Sequence, residues 1–402
     1  MEVARSSDSP AAAHAALRPL SLAPRSVRFR AMVRVGMRMM FHDRLKLLGT
    51  IAGVVFAVVL AVQQLSILFG LLNKNTMFVE QSGADLWIVP PNTELLQPGE
   101  KLADSLVGIA RTTEGVAFAE PLLFTGGTLK KPSGGAEPVT LVGVALPTAM
   151  GGPWNVVAGE PSALGLPDTM FFEDSEREKY GGLNLGSVRE VNGHRVVVGG
   201  FTWGLLPFGP AYAFGDIELV REITNTARDR TNFVLVRKRD GEDLAVMKAR
   251  LAARVPEALV LTREEYAASI VSSLLRQQLG LSFGISTSFG LIIGLVIVAL
   301  SMFSSVLDNL REFGTLKAIG CTNGDLSMLL LAQSLAYGLL GSFVGLGLVT
   351  RIVEKIRGPK LVPIIPDFIL ALTPAVMVTL CMIASVLALL RIRRLEPAMV
   401  FR

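Results

Sequence analysis

The side chains of this 402-residue sequence with acid–base, nucleophilic or metal-binding capacity include three histidines (His14, His42, His194) and two cysteines (Cys321, Cys381), and none stands in a pattern that uses it. The histidines fall in three separate regions, so they do not form a relay. No H-E-x-x-H, G-x-S-x-G or other clustered His/Asp/Glu set occurs, and no G-x-x-x-x-G-K-[ST] loop for ATP phosphates. Catalysis has no constellation here, no cofactor is expected in this chain, and any ATP it depends on must be bound by another subunit. Two cysteines, both in or beside apolar runs, exclude a disulfide scaffold and a cysteine-based metal site.

The polar residues that do cluster suggest contact chemistry. The stretch EFGTLKAIG (Glu312, Phe313, Gly314, Thr315, Leu316, Lys317, Ala318, Ile319, Gly320) sits between two of the most apolar segments of the chain. On a helical wheel Leu310, Phe313 and Leu316 share a broad side, Lys317 falls between Leu310 and Phe313, and Ile319 drifts away. That pattern predicts a short helix touched on two sides, by its own bundle or the membrane boundary and by a groove in a partner. Gly314 fits a close approach and Gly320 a stop.

The elements around it are set by composition. Half the residues are hydrophobic and 18% are charged, a balance that favours lipid over water as solvent. Uncharged runs at 47–73, 277–307, 326–350 and 368–390 each exceed the roughly 20 residues a membrane-crossing helix needs. The first run starts too far into the sequence and is too long for a cleaved signal, so it is expected to remain as an anchor. Arg25, Arg28, Arg30, Arg34, Arg38, Arg44 and Lys46 precede it, and Arg391, Arg393, Arg394 and Arg402 follow the last run, which places both termini in the cytoplasm. The loop 351–367 then lies outside despite Arg351, Lys355, Arg357 and Lys360. The net charge of +5 belongs largely to these flanks, and no nucleic-acid partner is implied. Spans without ionisable residues argue against a proton relay or ion-coupled transport. Gly280/Gly284, Gly290/Gly294 and Gly341/Gly345 have the spacing of close helix contacts, either inside the chain or, for the second span, in a homodimer.

Residues 1–24 read as a disordered cytoplasmic tail. Residues 25–46 read as a basic amphipathic helix in contact with lipid headgroups, a solvated linker being the bland alternative, and 391–402 as a second cytoplasmic tail. Residues 74–276 are long enough for an extracytoplasmic α/β domain. Strands at 84–90, 116–123, 232–237 and 258–261, with helices at 100–112 and 242–253, form two βαβ units, a split ferredoxin-like layer holding an inserted β-rich subdomain. The subdomain, from about 126 to 230, contains a hairpin turning on Asn192-Gly193 and an aromatic Gly/Pro loop, Phe201 to Gly215, read as buried in preference to facing a partner. Thr262 and Glu265 make a capping box for a helix expected to run unbroken into the second span as a stalk.

With four spans, a large domain between the first two and EFGTLKAIGCTNGDL between the second and third, the sequence resembles the FtsX-like permeases of ABC transporters, most closely the MacB and DevC type. SGADLWIVP beyond the first span and the terminal RIRRLEPAMVFR also carry the resemblance. It implies a permease in a bacterial inner membrane that dimerises, pairs with a separate ABC ATPase and meets a periplasmic adaptor protein. Segment 308–325 would then be the cytoplasmic coupling helix docking on the ATPase, through Glu312 to Gly320. The output would be export of a lipophilic or envelope-destined substrate by mechanotransmission. The alternative is an FtsX-type signalling module that controls an extracytoplasmic hydrolase without transport.

Overall fold

The computed structural model describes residues 25–97, 99–206, 209–359 and 362–392, so the tail expected at 1–24 and residues 393–402 of the second lie outside the described residues. The elements in chain order are α1 (Arg25–His42), α2 (Arg44–Gln81), β1 (Leu86–Val89), β2 (Leu102–Ala103), α3 (Ser105–Arg111), β3 (Val116–Lys130), β4 (Ala136–Val144), β5 (Val156–Ala158), β6 (Thr169–Glu173), β7 (Val188–Val191), β8 (His194–Thr202) and β9 (Tyr212–Asp216). Then come α4 (Ile217–Ile223), β10 (Arg230–Thr231), β11 (Phe233–Lys238), α5 (Leu244–Arg254), β12 (Leu259–Thr262), α6 (Arg263–Arg276), α7 (Gln278–Asp308), α8 (Leu310–Ala318), α9 (Asn323–Ile356) and α10 (Asp367–Ile392). They form two compact units, one of residues 1–64, 286–352 and 365–402 and one of 65–285 and 353–364.

In the helical unit, segments of α2, α7, α9 and α10 belong to helices long and apolar enough to cross a membrane. Close approach is built from glycine. A Cβ at Gly294 would lie 2.3 Å from Ala57 Cβ and one at Gly290 3.4 Å from Leu60 Cβ, while Cβ atoms at Gly341 and Gly345 would lie 2.4 and 2.8 Å from Val54 and Val58 atoms. Thus α7 and α9 press on α2 from two sides, and Val54, Ala57 and Val58 are fully buried there. The boundary expected at 46/47 moves to Asp43. It interrupts the helix after His42 and caps α2, its Oδ1 accepting from the Lys46 N–H at 3.2 Å.

The second unit is α/β. Strands β12-β1-β11-β3 pair antiparallel in that order, and α3 and α5 supply the two crossovers. Numbered within the half-domain, this is the 4-1-3-2 order of the ferredoxin-like layer. The insert is less separate than the sequence suggested. Strand β3 runs on to Lys130, pairing β11 with its first half and β4 with its second, so one ten-stranded sheet continues through β4, β9, β6, β8 and β5. Asn192 (φ 48°) and Gly193 (φ 89°) turn the β7–β8 hairpin in the left-handed region that this dipeptide favours. The helix expected from Glu100 starts only at Ser105, because Leu102–Ala103 pair with β10 and the Asp104 N–H donates to Asp229 O. Phe78, near the end of α2, is buried against Trp87, Phe124, Trp154 and Tyr212 and seats that helix on the sheet.

The capping box forms as read: Thr262 Oγ1 accepts from the Glu265 N–H at 3.1 Å, and the Glu265 carboxylate accepts from the Thr262 N–H at 2.8 Å. The unbroken stalk does not. Helix α6 ends at Arg276, Gln277 is extended (φ −74°, ψ −167°), and α7 starts afresh at Gln278. The turn brings Gly280 so close to α6 that a Cβ would stand 2.0 Å from Leu275 O, so glycine permits the break.

Candidate functional site

The segment singled out in the sequence folds as α8 and its two flanking turns, all within the helical unit. The turn from α7 is made at Asn309, whose side chain donates to Ser305 O at 2.8 Å while its carbonyl accepts the Phe313 N–H at 3.0 Å. The helix closes in a Schellman motif. Gly320 adopts φ 99°, its N–H donates to Lys317 O, and the Cys321 N–H donates to Leu316 O, both at 3.0 Å. Thr322 and Asp325 then cap α9 reciprocally: Asp325 Oδ2 accepts the Thr322 N–H at 2.9 Å, and Thr322 Oγ1 accepts the Asp325 N–H at 3.3 Å. The C-terminal end of α8 and the start of α9 are thus fixed by backbone and cap chemistry already visible in GCTNGD.

Its nine predicted contact residues divide by face. Phe313 is only 6% exposed and packs with Met32, Val306, Cys321, Leu326, Leu329 and Leu330, with Leu316 at the edge of the same cluster. Gly314 and Lys317 are half-buried. Glu312, Thr315, Ala318, Ile319 and Gly320 are exposed, and Ile319 reaches 58%. The wheel reading of two touched sides is therefore resolved into an inner face centred on Phe313 and an outer face of Arg311, Glu312, Thr315, Ala318 and Ile319. The side chain of Leu310 lies outside the described residues.

Sequence reasoning missed what covers the inner face. Met32, Val35 and Met39 of α1 complete the cluster. Gly36 lets α1 approach until a Cβ there would be 3.1 Å from Leu329 Cγ, and Gln333, itself buried, donates from Nε2 to Gly36 O at 2.9 Å. Arg28 adds an ion pair to Asp325 at 3.9 Å. The apolar side of α1 that had been assigned to headgroups is thus spent on α8 and α9. Phe29, Arg30, Arg34, Arg38 and Phe41 are left facing outward. The signal was present in the helical spacing of Met32, Val35, Gly36 and Met39, but a lipid surface and a protein surface ask for the same pattern.

A cavity of about 360 Å³ opens beside α8, with Arg38, His42, Lys46, Asp308 and Glu312 among its walls. Lys46 Nζ pairs with Asp43 at 3.1 Å and also with Asp308. The Lys46 backbone N–H, and then its ammonium, hold Asp43 below the usual carboxylate range. These charges cross-link the start of α2 to the end of α7. Of the glycines named for helix packing, Gly290 and Gly294 meet α2 within the chain, Gly280 meets the end of α6, and a Cβ at Gly284 would meet nothing within 4 Å.

Residues 284–397 match the FtsX-like permease C-terminal family, a stretch that includes α8 and α9. An uncharacterized ABC transporter permease of Methanocaldococcus jannaschii is 29% identical over 132 residues, 31% of this chain and 33% of that protein, so the match spans a third of the relative's length. Among solved structures, the extracellular domain of the noncanonic ABC-type transporter YknZ from Gram-positive bacteria is similar at 15% identity and TM-score 0.32, covering 42% of this chain and 90% of that one. The periplasmic region of MacB from Actinobacillus actinomycetemcomitans is similar at 11% identity and TM-score 0.35, covering 47% and 93%. The helices around α8, within residues 284–397, are therefore similar to the C-terminal part of FtsX-like permeases, and part of the chain is similar to an ABC transporter permease.

Proposed function

We propose that this chain is the permease subunit of an ABC exporter, moving a lipophilic or envelope-destined substrate by mechanotransmission, and that a separate ATPase docks on α8. The observation that carries the reading is the division of α8: one face is locked into its own bundle through Phe313, and the other offers Thr315, Ala318 and Ile319, which are exposed among the described residues. A short helix locked on one face and exposed on the other transmits a push without bending. ATP is bound by the ATPase, and this chain holds no cofactor of its own. Both termini and α8 lie on the cytoplasmic side of a bacterial inner membrane, and the α/β unit lies outside, where an adaptor protein meets it as in the MacB type. A second copy packs against the exposed apolar stripe of α7 formed by Phe289, Ile292, Val296 and Leu300.

The test is co-purification of the chain with a candidate ABC ATPase expressed alongside it. Ile319→Asp is expected to cut ATPase recovery at least tenfold, an effect of about 1.4 kcal/mol or more, with membrane yield unchanged. Phe313→Asp is expected to lower the yield itself, because it buries a charge in the α1–α8–α9 cluster. Full ATPase recovery and activity with Ile319→Asp would remove α8 as the docking site. In the intact complex, lipophilic compounds are expected to raise ATP hydrolysis; a complex indifferent to all of them would favour the signalling alternative.

A further inference from the structure

The α/β unit contains a cavity of about 720 Å³, within the roughly 300–1,000 Å³ of ordinary small-molecule sites. Its walls include Asn75 on α2, Leu95 and Leu96 in the loop after β1, Phe124 on β3, Tyr212 on β9, and Ile270 and Leu274 on α6, with Gln277 and Leu279 closing one side at the helix break. The break therefore has a structural product. An unbroken helix would not fold Gln277 and Leu279 around this space.

Three features define what fits. The walls are mainly aliphatic and aromatic, and none of the described lining residues carries a charge, so a charged occupant would be buried without compensation. Tyr212 is 4% exposed, and its ring packs at 5.4–6.0 Å from those of Phe78, Phe124 and Phe214. Tyr212 lines the cavity, so its phenol is one of the polar groups that this wall presents. The amides of Asn75 and Gln277 stand on the same cavity; Asn75 spends one donor on Leu71 O at 2.8 Å and keeps its carbonyl. From these observations we infer that the cavity binds an uncharged single-chain amphiphile of the monoacylglycerol kind. Its acyl chain lies on Phe124, Ile270 and Leu274, and its hydroxyl or ester group meets Tyr212. A diacyl phospholipid is too large and carries a phosphate that no residue here answers.

The wall bearing Tyr212 is tied to α2. Lys74, beside Asn75 and itself buried, donates from Nζ to Gly204 O at 2.6 Å. Buried Glu173 fixes the same loop by accepting the Gly204 and Leu205 N–H groups at 2.7 and 3.2 Å. Displacement of α2 at Lys74 thus pulls on the segment that leads into β9.

This inference rests on the export reading for its substrate class, but its test needs no ATPase. The full-length chain in phosphatidylcholine nanodiscs is irradiated with a monoacylglycerol bearing a diazirine in the acyl chain, and labelled peptides are mapped by mass spectrometry. Labels are expected on α6 near Ile270 and Leu274 and on β9, competed away by unlabelled mono-olein. Leu274→Trp, which fills the space, should reduce them at least fivefold. Tyr212→Phe, which keeps the ring and its packing, should weaken competition roughly threefold to tenfold, the value of one hydrogen bond. Labels confined to α7, α9 and α10, or equal labelling by a lysophosphatidic acid probe, would overturn the inference. Such a result leaves α8 docking untouched, and failure of the Ile319→Asp test leaves this site untouched.

Discussion

Phe313 and Ile319 belong to the same short segment, yet one is a core residue and the other is 58% exposed. The wheel separated them but did not say which faced inward, because that depends on α1, whose pattern serves lipid and protein equally. Glu265 is a different case, legible to the level of its hydrogen bonds. Its ties to Lys248 (2.6 Å) and then to the Thr262 N–H hold its carboxyl below the ordinary value of 4.5. A depressed carboxyl contributes stability above its unfolded value, and that contribution disappears as pH falls through the folded value. Thermal unfolding of the purified chain should therefore lose stability on acidification below about pH 4.5 more steeply than Glu265→Gln does. The difference should be small, since the side chain is half exposed. Parallel curves would mean the carboxylate caps α6 without charge assistance.

Secondary structure was most legible where the sequence states its own end signals. Thr262…Glu265, Asn192-Gly193 and Gly320 each specify a local backbone that needs no tertiary help. The sequence was silent at Gln277, because an apolar run on both sides conceals a break that only the approach of Gly280 to Leu275 reveals. Strand β3 was read short for a related reason: Gly126 and Gly127 look like a terminus, but a Cβ at Gly127 would stand 2.7 Å from a Leu141 methyl, so the glycine serves cross-strand contact. Glycine spacing in the spans was informative about contact and ambiguous about partner. Gly294 is now assigned to α2, and this gives an element-scale test. Gly294→Leu should destabilise the detergent-purified chain by about 1–3 kcal/mol through overpacking against Ala57, whereas Gly347→Leu on the exposed side of α9 should leave the melting temperature unchanged. Equal melting temperatures would put the α2–α7 contact in doubt.

At the scale of the whole molecule, fold class could be read early because solvent dictates it: long uncharged runs have one environment, and alternating strands with two crossovers have few topologies. The site was harder, since contact surfaces have no invariant chemistry and show themselves only as what the fold leaves uncovered. The proposed orientation, with α8 in the cytoplasm and the α/β unit outside, rests on the arginines around the first and last apolar runs of the sequence, against the basic loop after α9. The two native cysteines, both buried, make the question accessible to labelling. Ser133→Cys, in the exposed β3–β4 turn, should react with a membrane-impermeant maleimide once the outer envelope is opened and the inner membrane kept intact. Ile319→Cys on α8 should react only after the inner membrane is breached, with the parent chain unlabelled in both states. Reaction of Ile319→Cys from outside would invert the topology. It would also remove the cytoplasmic ATPase from reach of α8, whatever the strength of the family match.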